Sequence, residues 1–334
     1  MRSKPTGSSE YRPIVRAPLL PDIFGDACDR CGVTGLCGEA AGATACHSAR
    51  ELAQGYAHPD DPDFRPADLA LPTRGFEWQA LPEFGRTLSE ATPFAPLGTS
   101  HLAPLATALT SRSLPPLSDI GASLIGRDER LQKLWGQHGS LGATLRLRGY
   151  SYAIAPALST WADATPLAGL YAVARTAAIA STLSRQIPTV PTLAWRNARD
   201  IERQVQWLEI DRQESPVIAV DVGARLSDQF EWIIQGVLII ASQLHHPDRC
   251  RLIAHGTANP SRIERLAQAW LGPLTIASSH PAHVARRGWL LDGDLVAAPA
   301  PDLTLVQCAA ASIGAFDLAV NLIVHRARLS QAAA

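Results

Sequence analysis

The chain has 334 residues, and 46% of them are hydrophobic, which is enough for one large core or two ordinary ones. The formal net charge is −1 at pH 7, so no overall basic field draws the chain to nucleic acid or to an anionic membrane. The sequence lacks an uninterrupted apolar run long enough to span a bilayer and an apolar signal segment near its first residue, so we expect a cytoplasmic protein without a membrane partner.

The first 90 residues differ in composition from the remainder of the chain. They are rich in Pro, Gly and Asp, as in the run from His58 to Asp63, and they show little strand or helix periodicity. A short helix is predicted there over residues 40–56. We therefore predict an irregular N-terminal segment, residues 1–90, followed by a larger domain, residues 91–334. Such a segment has little core of its own, and a bound metal often supplies the missing folding energy.

Four of the six cysteines lie close together in this segment, in the pattern Cys28-x2-Cys31-x5-Cys37-x8-Cys46. In a reducing cytoplasm such a group more often binds a metal than forms disulfides, and four thiolates suit an iron–sulfur cluster or zinc. We predict that these cysteines hold an iron–sulfur cluster, with zinc as the alternative. His47 is an alternative ligand to Cys46 in a Cys3His zinc site, and a reduced loop without metal is the remaining interpretation.

The ten residues from Cys28 to Cys37 resemble the second half of the cysteine motif in WhiB-like iron–sulfur proteins. That family has the pattern C-x2-C-x5-C followed by an alanine-rich helix, and Ala40-Ala41 occurs here. The fourth cysteine lies downstream of the motif in this chain and upstream in the family, and the family's tryptophan–glycine turn is missing. The resemblance implies the type of ligand and nothing further.

From about residue 91 onward, short apolar runs alternate with longer helical stretches. The predicted strands are residues 151–156, 189–195, 217–222, 251–255 and 274–277, with 92–97 and 117–123 as weaker candidates. The predicted helices are residues 166–186, 198–210, 227–245, 261–271 and 304–329. Side chains that cap helices, such as Asn197 and Asn259, mark several of the helix starts. Apolar strands that alternate with helices predict a parallel sheet covered by helices.

The number of strands decides between two architectures. Seven or eight parallel strands would close a (β/α) barrel, whereas five or six would leave an open doubly wound sheet. No glycine-rich dinucleotide-binding motif follows a predicted strand, because the glycines in residues 221–223 and 255–256 are isolated. We therefore predict a barrel-like α/β domain, with the open doubly wound sheet as the alternative.

Polar residues follow the predicted strands, at the edge where ligands bind in parallel α/β domains. Asp221 and His255 are candidates for a catalytic acid–base pair, since a carboxylate and an imidazole exchange protons near neutral pH. Arg196 and Arg225 are candidates for holding a phosphate or a carboxylate. The other candidate substrate-binding residues are Ser159, Trp195, Ser279 and His280. For each of them, helix capping, a loop hydrogen bond or core packing is the competing interpretation.

Residues 155–168, a helix, and residues 187–195 together resemble the domain-of-unknown-function family numbered 4417, which is common in phages, plasmids and integrated elements. That family shows an "SPDFS" segment, an aspartate, "PLA", a helix and "IPNVxW", and the later strands at 217–222 and 251–256 fit its pattern. The family's aspartate after "SP" falls on Ala157 here. The resemblance covers roughly residues 118–262, and it implies the fold and a mobile-element context without an established activity.

Three functional hypotheses follow. The first is a metal-bearing, barrel-like enzyme that acts on a phosphorylated or nucleotide-type small molecule. The second is a non-catalytic module that binds nucleic acid or protein, with a structural or redox-sensing cysteine site and basic surfaces at residues 196–203 and 262–265, although solvated helix faces explain those charges more simply. The third, ranked lowest, is base exchange like that of tRNA-guanine transglycosylases, barrels whose four-ligand zinc site is C-terminal.

Overall fold

The computed structural model describes residues 76–79, 101–103, 105–110, 120–126, 130–131, 138–158 and 160, residues 172–205 with gaps, and residues 217–223 and 227–332. Several predictions lie outside these residues: the metal ligands Cys28, Cys31, Cys37 and Cys46, the helix at 40–56, the strand at 92–97, and the side chains of Ser159 and Arg225.

Eight parallel strands form one sheet. They are β1 (Phe76–Gln79), β2 (His101–Ala103), β3 (Ile120–Ser123), β4 (Tyr152–Ile154), β5 (Thr189–Val190), β6 (Val217–Asp221), β7 (Arg251–His255) and β8 (Leu274–Ser278). Their order in the sheet is β5-β4-β3-β2-β1-β8-β7-β6, and each paired neighbour is parallel. The predicted α/β fold with parallel strands is therefore confirmed. Strand β1 belongs to this sheet although it lies within the segment 1–90 that was predicted to be irregular.

Helices lie between and after the strands. They are α1 (Leu105–Thr110), α2 (His138–Leu147), α3 (Ser227–Gln243), α4 (Pro260–Ala269), α5 (His280–Ala285) and α6 (Leu305–Ala332). Helical residues also occur with gaps over 172–184 and 198–205. The side-chain oxygen of Asn259 accepts from the backbone N–H of Arg262 at 3.2 Å, which caps α4 as the sequence predicts. Asn197 likewise accepts from the backbone N–H of Asp200 at 3.0 Å.

The two faces of the sheet are buried in different ways. On one face, helices cover the strands in two apolar clusters, one around α3, α4, α5 and α6 and the other around α1 and α2. The side chains of the other face form a third cluster, which contains residues from β2, β4, β5, β6, β7 and β8 and, within the described chain, no residue of a helix. Its members are Leu102, Ile125, Tyr152, Ile154, Val190, Val217, Ala219, Ile253 and Ala277. We call this third cluster the inner cluster.

Strands β5 and β6 stand at the two ends of the strand order, and backbone hydrogen bonds join the residues just after β5 to β6. The backbone N–H of Leu193 donates to the carbonyl of Ala219 in β6 at 2.8 Å, and the N–H of Ala219 donates to the carbonyl of Pro191 at 2.9 Å. Thr192 and Ala219 are accordingly paired as in a parallel ladder. The chain that follows β5 therefore lies beside β6.

The C-terminal part adds an antiparallel hairpin, β9 (Trp289–Leu291) and β10 (Ala297–Pro299), before the long helix α6. Helix α6 packs against α4, α5 and β9. Among the described helices, α6 is the one whose length and composition would allow it to cross a membrane, over Gln307–Gln331 with a mean hydropathy of 1.5. Those two properties are also found in helices that line a protein core, and one face of α6 is buried in this way.

Candidate functional site

Asp221 and His255 lie side by side at the carboxyl ends of β6 and β7. They are paired directly in the parallel register of the two strands. Side chains alternate between the faces of a strand, so Asp221 lies on the face of Ala219, and His255 lies on the face of Ile253. Both of those apolar residues belong to the inner cluster. The two candidate acid–base residues therefore meet at the carboxyl end of the inner face, as the sequence predicts for parallel strands.

Ser123 is the third polar residue at this position. It ends β3, and its Oγ lies 3.1 Å from Nε2 of His255, a hydrogen bond whose donor depends on the histidine tautomer. Ser123 is fully buried and His255 is 8% exposed. Ser123 is not among the site residues predicted from the sequence, although it ends the predicted strand at 117–123, just as His255 ends its own predicted strand.

The burial of His255 keeps its imidazole neutral. Removal from water lowers the pKa of His255 below its usual range, and the nearby negative charge of Asp221 acts in the opposite direction without cancelling the effect of burial. A neutral imidazole beside a carboxylate can accept a proton and is then stabilised by the carboxylate's charge. This arrangement provides the electrostatic setting of a general base.

Asp221 is also held by the loop that follows it. Its Oδ1 accepts a hydrogen bond from the backbone N–H of Gly223 at 2.9 Å. This is the loop hydrogen bond that the competing structural interpretation of Asp221 predicts. The loop after β7 comes very close, because a Cβ placed on Gly256 would lie 2.9 Å from the Cα of Gly223. Gly256 also has φ +102°, a conformation that favours glycine. The first loop therefore orients the Asp221 carboxylate through a hydrogen bond, and the second loop packs closely beside it.

Trp195 and Arg196 are placed differently from the prediction that they bind substrate. Trp195 is 2% exposed and belongs to the helix-covered cluster, where its ring lies 5.6 Å from that of Trp232. Arg196 binds both carboxylate oxygens of Asp200, through Nε at 2.8 Å and Nη2 at 2.9 Å. The Trp195 ring therefore lies in the core. The Arg196 guanidinium forms an ion pair with Asp200, four residues further along the chain.

Ser279 and His280 follow β8 at the same end of the sheet. Ser279 precedes α5, and the backbone N–H of His280 donates to Oγ of Ser278 at 3.2 Å. Partial burial lowers the pKa of His280, and the charges of His283 and Arg287 lower it further. Both side chains are partly accessible, so their position remains compatible with a contact to a ligand at this edge.

Two arginines of the predicted basic surface 262–265 make contacts within the protein. Nη2 of Arg265 lies 2.6 Å from Oε2 of Glu231, and the guanidinium of Arg262 stacks over the ring of Phe230 at 4.8 Å. These contacts join α4 to α3. They support the simpler interpretation, in which the charges belong to helix faces that stabilise the fold.

Within the part of the chain that the structure describes, no group of three or more His, Cys, Asp or Glu side chains is arranged to hold a metal ion. The two cysteines in that part, Cys250 and Cys308, are buried and are not joined in a disulfide. The predicted metal site at the four N-terminal cysteines lies outside this region and stays a prediction.

No protein-family model matches the chain, and no curated protein shows a significant similarity to it. The resemblance to the family numbered 4417 therefore remains a prediction from the quoted motifs.

Proposed function

We propose that the eight strands close into a (β/α) barrel whose interior is the inner cluster. The hydrogen bonds between the chain after β5 and Ala219 support this closure, because they join the two ends of the strand order. A second support comes from the bond between Ser123 and His255. Strands β3 and β7 are separated by β2, β1 and β8, so in a flat sheet they would stand roughly 19 Å apart. The 3.1 Å distance between Oγ of Ser123 and Nε2 of His255 therefore supports a strongly curled sheet.

We propose that the chain is an enzyme whose reaction depends on proton transfer by His255. The observation that carries this proposal is the meeting of Asp221, His255 and Ser123 at the carboxyl end of the strands, where barrel enzymes place their catalytic groups. His255 is the proton-transfer group, and Asp221 stabilises the imidazolium that forms. Ser123 is a positioning residue, because its hydrogen bond to Nε2 fixes the orientation of the ring.

The proposed substrate is a phosphorylated or nucleotide-type small molecule. This choice rests on Arg225, which follows Asp221 by four positions in the sequence and is a candidate for holding a phosphate. The four N-terminal cysteines are proposed to bind an iron–sulfur cluster or zinc. We also propose a cytoplasmic location and a relationship to the mobile-element family numbered 4417, on the sequence motifs alone.

The test is turnover of a mixture of phosphorylated metabolites and nucleotides, with consumed and formed compounds identified by mass spectrometry. The wild-type protein should convert at least one compound. His255→Gln and Asp221→Asn should each slow that conversion by about 100-fold or more, the usual contribution of an acid–base group, and Ser123→Ala should cause a smaller loss.

Glu264→Gln is the matched control for Asp221→Asn, because it also replaces a carboxylate by an amide but lies on the exposed face of α4. It should leave the rate unchanged. A loss below about tenfold when both Asp221 and His255 are replaced would sink the catalytic assignment.

The alternative of a non-catalytic binding module remains a proposal with less support, since Arg262 and Arg265 are engaged with Phe230 and Glu231. Binding to random duplex DNA at low and high salt distinguishes its nucleic-acid form, because contacts to phosphates weaken steeply with ionic strength. If the protein does not bind duplex DNA at low salt, the nucleic-acid-binding hypothesis is excluded.

A further inference from the structure

Helix α6 carries a regular apolar stripe along its more exposed side, where one member, Ala315, also packs against the edge of the core. The stripe consists of Ala311, Ala315, Leu318, Leu322, His325 and Leu329, and we call it the leucine stripe. Successive members are spaced by four, three, four, three and four residues, which is the heptad spacing of a coiled-coil seam. The stripe extends about 27 Å along the helix axis.

The three leucines of this stripe are exposed although they lie in an ordered helix. Leu318 is 58% exposed, Leu322 is 44% exposed and Leu329 is 57% exposed. The opposite face of the same helix is in the core, where Ile313, Val320 and Ala327 are almost completely buried. Helix α6 is therefore anchored along one side, and it presents a second apolar side to its surroundings. An apolar patch of this kind marks an interaction surface.

The spacing of the stripe is symmetric about position 320. When two copies of α6 run antiparallel with their two-fold axis at that position, Leu318 lies opposite Leu322 of the second copy. In the same arrangement the large Leu329 lies opposite the small Ala311, and His325 lies opposite Ala315. Each contact then occurs twice, which is the property of a self-complementary two-fold interface. Large side chains meet small ones at both ends of the stripe.

Charge favours the antiparallel direction over the parallel one. The cationic residue beside the stripe, Arg326, lies near the C-terminal end of α6, whereas the stripe around Ala311 and Ala315 is uncharged. Arg328 is turned away from the stripe, and its Nη2 donates to the carbonyl of Gly272 at 2.6 Å. In a parallel pair of α6 helices, the arginine of one copy would lie near the same arginine of the second copy. In an antiparallel pair, it lies near the uncharged N-terminal part of the second copy's stripe. Opposed helix dipoles also favour the antiparallel direction.

Polar residues within the stripe and beside it favour a protein partner over lipid. His325 interrupts the leucines, and Asn321 and Arg326 flank them. Such side chains are costly in hydrocarbon but are tolerated at the rim of a protein interface.

We propose that the protein forms a homodimer in which the leucine stripe of α6 packs antiparallel against the same stripe of a second copy. The first experiment measures the mass of the full-length protein by sedimentation over a range of concentrations, without detergent. The wild-type chain should be dimeric. Leu318→Glu combined with Leu322→Glu should raise the dimer dissociation constant by about 100-fold or more, because each leucine contributes twice to a symmetric interface.

Leu238→Glu is the matched control, because Leu238 is 47% exposed on α3 and lies outside the stripe. It should leave the dimer unchanged. Circular dichroism of both variants should match that of the wild type, since the replaced leucines are on the surface. A monomeric wild-type protein, a dimer that survives the double substitution, or a protein that partitions into phosphatidylcholine vesicles instead of dimerising would overturn the proposal.

The direction of the helices is tested with a photo-crosslinking amino acid, p-benzoylphenylalanine, in place of Leu329. Mass spectrometry of the tryptic peptides should locate the crosslink near Ala311 of the second copy. A crosslink near position 329 of the second copy would show a parallel pair and would contradict the antiparallel arrangement.

Discussion

At the residue scale, the most consequential feature is a buried histidine whose partners come from distant parts of the chain. His255 contacts Ser123, which lies 132 positions away, and it is paired in register with Asp221. Burying an imidazole without its charge costs little when a hydroxyl satisfies a ring nitrogen, whereas burying the imidazolium costs considerably more. The native state therefore favours the neutral form of His255.

This preference predicts a dependence of stability on pH. The pKa of His255 is lowered in the folded state from its ordinary value near 6.5, so below about pH 6.5 the unfolded chain binds a proton that the folded chain does not. The free energy of unfolding should then fall with decreasing pH, by at most about 1.4 kcal/mol per pH unit from this group, until the folded-state pKa is reached. Urea unfolding at pH 7.5 and pH 5.5 measures the change.

His255→Gln provides the comparison, because glutamine has no proton to gain in this range. The variant should lose less stability than the wild type between the two pH values, whatever its stability at pH 7.5. Equal losses in both proteins would show that His255 does not titrate as its burial requires. His280, whose pKa is also lowered, is present in both proteins and so does not affect the difference.

At the element scale, the packing of α3 depends on a glycine. A Cβ placed on Gly236 would lie 2.2 Å from two ring atoms of Trp195, far closer than atoms pack. The Trp195 ring cannot easily move away, since it is buried and also packs on Trp232. Gly236 therefore allows α3 to approach the chain after β5. This contact explains why Trp195 is a core residue and not part of a substrate surface.

Gly236→Ala should destabilise the protein by about 1–3 kcal/mol, because overpacking in the core outweighs the better helix propensity of alanine. Gly314→Ala makes the same chemical change in α6, where an added Cβ meets nothing within 4 Å. It should stabilise the protein by about 0.5–1 kcal/mol. Chemical unfolding measures both values, best in the Leu318→Glu, Leu322→Glu background so that dimer formation does not contribute. Equal effects of the two substitutions would contradict the packing argument.

At the scale of the whole molecule, the N-terminal cysteine segment differs from the remainder of the chain in its apolar content. The α/β part of the chain has extensive apolar clusters of its own, whereas the first 75 residues contain few apolar runs. A metal bound by Cys28, Cys31, Cys37 and Cys46 would add folding free energy to that segment.

Protein purified without oxygen should contain iron and acid-labile sulfide and should be brown, as expected for an iron–sulfur cluster. Cys28→Ser should abolish or strongly reduce the metal content. Cys308→Ala is the control, because Cys308 is buried in the core and should not affect the metal. A colourless protein with zinc would select the zinc alternative, and a protein with neither metal would remove the metal site from the proposed function.

The sequence by itself determined the class of fold and the edge at which the candidate site lies. Continuous apolar runs such as residues 217–220 and 252–254 are expected to be buried on both faces, and helices between them favour parallel strands. Because parallel strands end at one edge, Asp221 and His255 were predictable as neighbours. Arg196 and Asp200 are four residues apart, a spacing at which ion pairs commonly form. The sequence alone does not indicate that Arg196 forms this ion pair instead of binding a substrate.

Only the tertiary structure decided which face of each strand contributes to the inner cluster and which distant residues meet at its edge. A strand that is apolar on both faces carries no alternation from which its inner side can be read, so the contact of Ser123 with His255 was not predictable. The same limit applies to Trp195, whose burial depends on the close approach of Gly236 from another element. Local sequence patterns report local backbone preferences, whereas these contacts depend on how the sheet curls and how closely helices approach it.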